Sequence, residues 1–123
     1  LDPKTIQRTL ELAVNEELKV LLFAGDLRRV SQLSRLSPDF IAYEPPELIG
    51  GKISVTSAKA ETVKKAVEAA GRIPLLIGAG VHERLDITAT LSLGAIGAVV
   101  SSAVVTAPDP KKIFAGLLSG FGT

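Results

Sequence analysis

Four short apolar runs, separated by stretches with helical patterning, constrain the fold of this 123-residue chain most strongly. Each run is continuously apolar rather than alternating, which is typical of strands buried on both faces of a parallel sheet. Apolar residues recur at helical spacing between the runs, and right-handed βαβ units join parallel strands in this way. The four predicted strands are Leu18–Ala24, Asp39–Glu44, Ile73–Gly80 and Ala95–Ala103.

Helices before, between and after these strands give the predicted order αβαβαβαβα. Asp2 and Asp109 each precede a proline and are expected to cap a helix at its first turn, and Asp26 is expected to cap the second helix. Such an order suits an open doubly wound sheet or a (βα)8 barrel, and four strands are half of a barrel. The predicted helices start at Pro3 and then cover Asp26–Leu36, Ala58–Ala70, His82–Leu93 and Asp109–Phe121.

Composition excludes several classes of function. The net charge of +1, with dispersed Lys and Arg and 4% aromatic residues, gives no basis for binding nucleic acid or a membrane. No run of about 18 apolar residues predicts a transmembrane helix. The chain has no Cys and one His, so no thiolate or multi-histidine metal site is expected, and a reducing, cytoplasmic setting fits. It also lacks Met, even at position 1, which suggests a piece of a longer protein.

Glu44 ends the second predicted strand, at the edge where active sites lie in parallel α/β folds. Apolar neighbours would partly shield its carboxylate, which could then serve as a base. Pro45 favours an extended backbone at Glu44, and Pro46 stiffens the following loop. The alternative, a capping or solvent-facing acid at a strand end, fits the residues equally well.

Small residues follow the last two strands, as Gly78-Ala79-Gly80 and as Ser101-Ser102. They let the backbone approach an anion closely, and in barrels the last two βα loops commonly bind phosphate. The loop that contains Gly50 and Gly51 could be a lid or a plain turn. His82 is expected to open a helix as a surface or capping residue, without a chemical role.

The segments YEPPELIGG (43–51), LLIGAGV (75–81) and GAIGAVVSSAVV (94–105) resemble the triosephosphate isomerase family of the archaeal type. The resemblance implies the carboxyl-terminal half of the barrel, with Glu44 as the base that moves a proton between two carbons of a triose phosphate and no cofactor. It implies a closing lid that runs to about Ile53 and includes Pro45, Pro46, Glu47, Leu48, Ile49, Gly51 and Lys52. The implied phosphate contacts are Gly50, Gly78, Ala79, Gly80, Ser101 and Ser102.

The chain departs from the family pattern in three ways. Lys52 stands where family lids often have glycine, and Ala103 stands where final loops often have one. The family's lysine and electrophilic histidine lie on strands one and four, whereas this chain would supply strands five to eight as one partial domain, 1–123. Alone, it is therefore expected to be inactive and to pair with an amino-terminal half or with a second copy of itself, in the latter case as a homo-oligomer. Alternatives are a self-associating half-barrel scaffold or another phosphate-binding barrel enzyme, such as a relative of indole-glycerol-phosphate synthase.

Overall fold

The computed structural model describes residues 1–49, 52 and 54–122, with the backbone alone at 55–59. Its strands form one parallel sheet in the order β1–β2–β3–β4. Sequence neighbours are thus sheet neighbours throughout, as in a (βα)8 barrel, whereas a doubly wound sheet reverses its strand order. The strands are β1 (Leu21–Ala24), β2 (Phe40–Tyr43), β3 (Leu75–Ile77) and β4 (Gly97–Ala98).

Helices connect and flank the strands. The three predicted caps are confirmed: Asp2 accepts a hydrogen bond from the Thr5 N–H, Asp26 from Arg29 and Asp109 from Lys112. Within the described ranges, no helix is both long and apolar enough to cross a bilayer. The helices are α1 (Pro3–Asn15), α2 (Leu27–Ser34), α3 (Val55–Ala70), α4 (Arg84–Ser92), α5 (Ser102–Val105) and α6 (Pro110–Leu118), with 3-10 turns at Pro46–Leu48 and Ser119–Phe121.

The hydrophobic core lies between one face of the sheet and the helices. Ile41 and Ile77 point into it and are fully buried together with Val30 of α2 and Val63 of α3. Phe23, in register with Ala42 and Leu76, faces the other way, and 49% of it is exposed. The sheet is therefore covered on one face and open on the other, which is the arrangement of half a (βα)8 barrel, as predicted.

The first strand is shorter than the predicted Leu18–Ala24. The Glu17 N–H donates to the Val14 carbonyl (3.0 Å) and the Leu18 N–H donates to the Ala13 carbonyl (2.9 Å). These two bonds, with Glu17 at a φ of 56°, are the Schellman closure of a helix. Leu18 therefore belongs to the end of α1, and the ladder starts only after it.

The last strand differs most from the prediction of Ala95–Ala103. Only Gly97–Ala98 pairs as a strand, and Ser102–Val105 forms the unpredicted helix α5. The N–H groups of Val104 and Val105 both donate to the Ser101 carbonyl at 3.0 Å. A strand that contains glycine and has a neighbour on one side only is weakly held, so the local helical bonds prevail.

Several other boundaries also moved. Helix α3 begins at Val55 rather than Ala58, and β3 ends at Ile77 rather than Gly80. Gly80 has a φ of 73°, which no strand residue adopts. Helix α4 begins at Arg84, with Glu83 as its N-cap, so the prediction that His82 opens this helix is wrong.

Candidate phosphate-binding site at the carboxyl ends of the strands

A cavity of about 250 Å³ lies beyond the carboxyl ends of β2, β3 and β4. Glu44 lines it together with two loops, one after β3 and one after β4. The structure thus brings together six residues that were expected to act in catalysis or phosphate binding, namely Glu44, Gly78, Ala79, Gly80, Ser101 and Ser102. The remaining lining residues are Leu48, Ile49, Val81, His82, Val99, Val100 and Ala103.

Glu44 is half-buried at the point where the chain leaves the sheet. Its N–H donates to the Ala24 carbonyl at 2.8 Å and so continues the β1–β2 ladder by one bond. A Cβ atom built on Gly78 would lie 3.1 Å from the Glu44 Cβ. The Glu44 side chain therefore lies against the end of β3, where a larger residue than glycine would press on it.

The two loops carry unpaired backbone donors. Within the described part of the chain, the N–H groups of residues 79–81 and 101–103 donate to no protein acceptor. All six residues line the cavity. Successive free N–H groups around a concavity bind anions, and small side chains allow close approach. The cavity therefore has an arrangement suited to an anion, with the Glu44 carboxylate at its wall.

The segment after Glu44 divides between the core and the surface. Pro45 and Leu48 are buried, and the Leu48 N–H closes a turn on the Pro45 carbonyl at 3.0 Å. Gly50 and Gly51 lie outside the described residues. A role for this segment as a lid stays a prediction. The exposed residues of the segment after Glu44 are Pro46, Glu47, Ile49 and Lys52.

His82 lies in the cavity lining, which the sequence analysis did not anticipate. Its N–H donates to Asp86 Oδ2 at 2.9 Å, and its Nε2 atom is buried without a hydrogen-bond partner among the residues that the structure describes. Asp86, which was also missed, is 3% exposed. The four-residue spacing of His82 and Asp86 in the sequence was the available signal, but it is too common to single them out.

Burial dominates the electrostatics next to Glu44. It raises the pKa of the Tyr43 hydroxyl, and the negative charges of Glu47 and Asp26 add to the effect.

Among the residues whose placement is described, no group of three His, Cys, Asp or Glu side chains could hold a metal ion.

Fold and site together define half of a (βα)8 barrel with an anion-sized cavity at the strand carboxyl ends. A sequence profile of the triosephosphate isomerase family matches residues 5–119, and the chain belongs to this family. The triosephosphate isomerase of Thermoplasma volcanium is 42% identical over 102 residues, which are 81% of this chain and 48% of that protein. That of Methanopyrus kandleri is 39% identical over 111 residues, 87% of this chain and 49% of the relative. The chain thus spans about half the length of the curated relatives it matches.

Solved structures with little sequence identity share the fold. An archaeal fructose 1,6-bisphosphate aldolase superposes with a TM-score of 0.75 at 17% identity, over 96% of this chain and 51% of that one. A 3-hexulose-6-phosphate synthase gives 0.74 at 20% identity, over 97% of this chain and 57% of the other. At these identities the similarity shows the half-barrel fold alone.

Proposed function

We propose that this chain is strands five to eight of a triosephosphate isomerase barrel, a single partial domain at 1–123. The whole barrel would interconvert dihydroxyacetone phosphate and D-glyceraldehyde 3-phosphate in glycolysis and gluconeogenesis, in a cytoplasmic setting. One observation carries the proposal: Glu44 shares a cavity with two loops of unpaired N–H groups. Membership of the family supports the reaction.

Glu44 would act as the base in this reaction. Its carboxylate takes a proton from the carbon next to the substrate carbonyl and returns it to the carbonyl carbon, while the hydroxyl proton passes to the former carbonyl oxygen. Substrate and product therefore differ only in the positions of one C–H and one O–H hydrogen. The isomerisation is redox-neutral and needs no cofactor. A half-buried carboxylate held by Gly78 and by the end of β2 is positioned for such transfers.

The phosphate of the substrate would bind at the loops after β3 and β4. Free N–H groups of Gly80 and Ser102, with their neighbours, are suited to a dianion because each donates without losing a protein bond. The segment from Pro45 to Lys52, including Gly50 and Gly51, would cover the cavity as a lid and keep water from the reacting carbons. Its implied role rests on the family resemblance.

A partner would complete the barrel. The family's lysine and electrophilic histidine have no counterpart in this chain, so alone it should show negligible turnover. Phe23 lies on the open face, and the outer edges of β1 and β4 pair with no other strand in the described part of the chain. These surfaces would bind an amino-terminal half-barrel or a second copy. The same open face supports the second candidate, a self-associating scaffold without catalysis.

Reconstitution tests the proposal. The chain is mixed with the amino-terminal half of the Thermoplasma volcanium relative, and isomerisation of glyceraldehyde 3-phosphate is followed. We expect activity in the mixture, and E44Q should lower kcat by about 10²- to 10⁴-fold, the range for removal of a general base. E68Q is the matched control, because Glu68 is exposed on α3 and does not line the cavity.

Equal activity of E44Q and E68Q in an active mixture would remove Glu44 from the mechanism. If the wild-type chain neither gains activity nor binds glycerol 3-phosphate, but sediments as a defined oligomer, the scaffold is the better account.

A further inference from the structure

Asp86 is a buried carboxylate that the proposed reaction does not use. It lies in the first turn of α4 and only 3% of it is exposed. A carboxylate is costly to bury unless several donors satisfy it. Its surroundings provide these donors from two separate parts of the chain.

One oxygen of Asp86 holds the end of the loop after β3. Oδ2 accepts hydrogen bonds from the N–H groups of His82 (2.9 Å) and Glu83 (3.1 Å). These two residues directly follow the unpaired donors at 79–81. The carboxylate therefore fixes the chain direction at the point where the anion-binding loop becomes a helix.

The other oxygen reaches a different segment. Oδ1 accepts a hydrogen bond from the hydroxyl of Ser54, which lies 32 residues earlier, just before α3. Ser54 follows Glu44 by ten residues and closes the connection between β2 and α3. A residue that only capped α4 would need neither this bond nor its burial.

We infer that Asp86 is a positioning residue that ties the β2–α3 connection to the anion-binding loop, so that the two sides of the cavity keep a fixed relation. This inference rests on the proposed phosphate site. Asp86 has no contact with substrate in this account. Asp86 acts through the backbone of His82 and Glu83 on one side and through Ser54 on the other.

Removal of the Ser54 hydroxyl tests the tie. In S54A, we expect amide hydrogen exchange at His82 and Glu83 to become about tenfold faster, although these residues are distant in sequence. Binding of glycerol 3-phosphate, followed by amide shifts of the intact chain, should weaken about fivefold or more, a typical coupling between linked sites. S54T keeps the hydroxyl and should restore both values.

Two controls separate the tie from simple loss of stability. S92A removes a hydroxyl from the same helix, where Ser92 bonds only the Ala89 carbonyl, and should change neither exchange at His82 nor binding. In a D86A background the S54A substitution should add nothing. If D86A does not fold, the S54A and S54T pair still decides.

Exchange and binding in S54A within twofold of wild type would overturn the inference and leave Asp86 as a helix cap. A wild-type chain that does not bind glycerol 3-phosphate would instead overturn the phosphate site itself. The exchange comparison needs no ligand, so the two failures are distinguishable.

Discussion

The two faces of the same four-stranded sheet differ in how completely they are covered. Ile41 and Ile77 pack under the helices and are fully buried, whereas Phe23, on a neighbouring strand but on the opposite face, is half exposed. Residues of the packed face belong to the hydrophobic core, and Phe23 does not. The open face resembles a domain core cut in half, which is how obligate interfaces look. Stability and function are therefore expected to depend on different faces.

A matched pair of truncations tests this difference most strongly. Ile41→Ala should cost about 2 to 5 kcal/mol of unfolding free energy, because it leaves a cavity among fully buried neighbours. Phe23→Ala should cost about 1 kcal/mol or less, because much of this ring already contacts water. Urea unfolding of both variants measures the two costs.

In association with an amino-terminal half-barrel, Phe23→Ala should have a larger effect than Ile41→Ala. Phe23→Ala should weaken binding of an amino-terminal half-barrel, as measured by sedimentation. Stabilising the fold by a substitution elsewhere should not restore this binding. Equal unfolding costs for the two substitutions would show that the open face is already covered in solution.

Two glycines with similar backbone geometry compare the rim of the cavity with the helical layer. Gly80 (φ 73°) is a cavity residue, whereas Gly71 (φ 62°) ends α3 with open space around it. Alanine at either position should cost about 1 to 2 kcal/mol, the penalty for a left-handed conformation. Only Gly80→Ala should also weaken binding of glycerol 3-phosphate. Equal binding by the two variants, measured by titration, would separate Gly80 from the anion site.

The smallest expected effect is the pH dependence of the unfolding free energy that comes from Tyr43 on the packed face. Burial raises the pKa of Tyr43 above its ordinary value of 10.0, so the folded chain keeps this proton more tightly than the unfolded chain does. The stability from Tyr43 is complete below pH 10 and is lost as pH rises through the folded pKa. Unfolding free energies between pH 9 and 11 should fall less steeply in Tyr43→Phe. An unchanged slope would contradict a buried hydroxyl.

The sequence was sufficient for the order of the four strands and of the helices other than α5, because continuous apolar runs and Asp-Pro caps are local signals. It was also sufficient for the grouping of Glu44 with Gly80 and Ser102, since the carboxyl ends of parallel strands meet at one edge. Predicted boundaries were wrong where apolar residues belong to the hydrogen-bonded end of a helix rather than to the strand. Leu18 is an example, because its N–H completes the end of α1 beyond a Glu in the left-handed conformation.

The sequence also did not indicate the positions of residues that depend on tertiary contacts. Asp86 becomes a buried link only because Ser54 packs against it across the fold. His82 reaches the cavity because Glu83, not His82, caps α4, and this choice is fixed by the same carboxylate. The four-residue spacing of His82 and Asp86 is too common in sequences to indicate either contact.

The central claim is that Glu44 and the loops after β3 and β4 form one phosphate site. Titration of the ¹⁵N-labelled chain with glycerol 3-phosphate, with glycerol as control, tests it most directly. We expect saturable amide shifts at Gly80, Val81, Ser102 and Ala103 with the phosphate ester and none with glycerol. Silent amides at these positions, or equal shifts with glycerol, would contradict the claim.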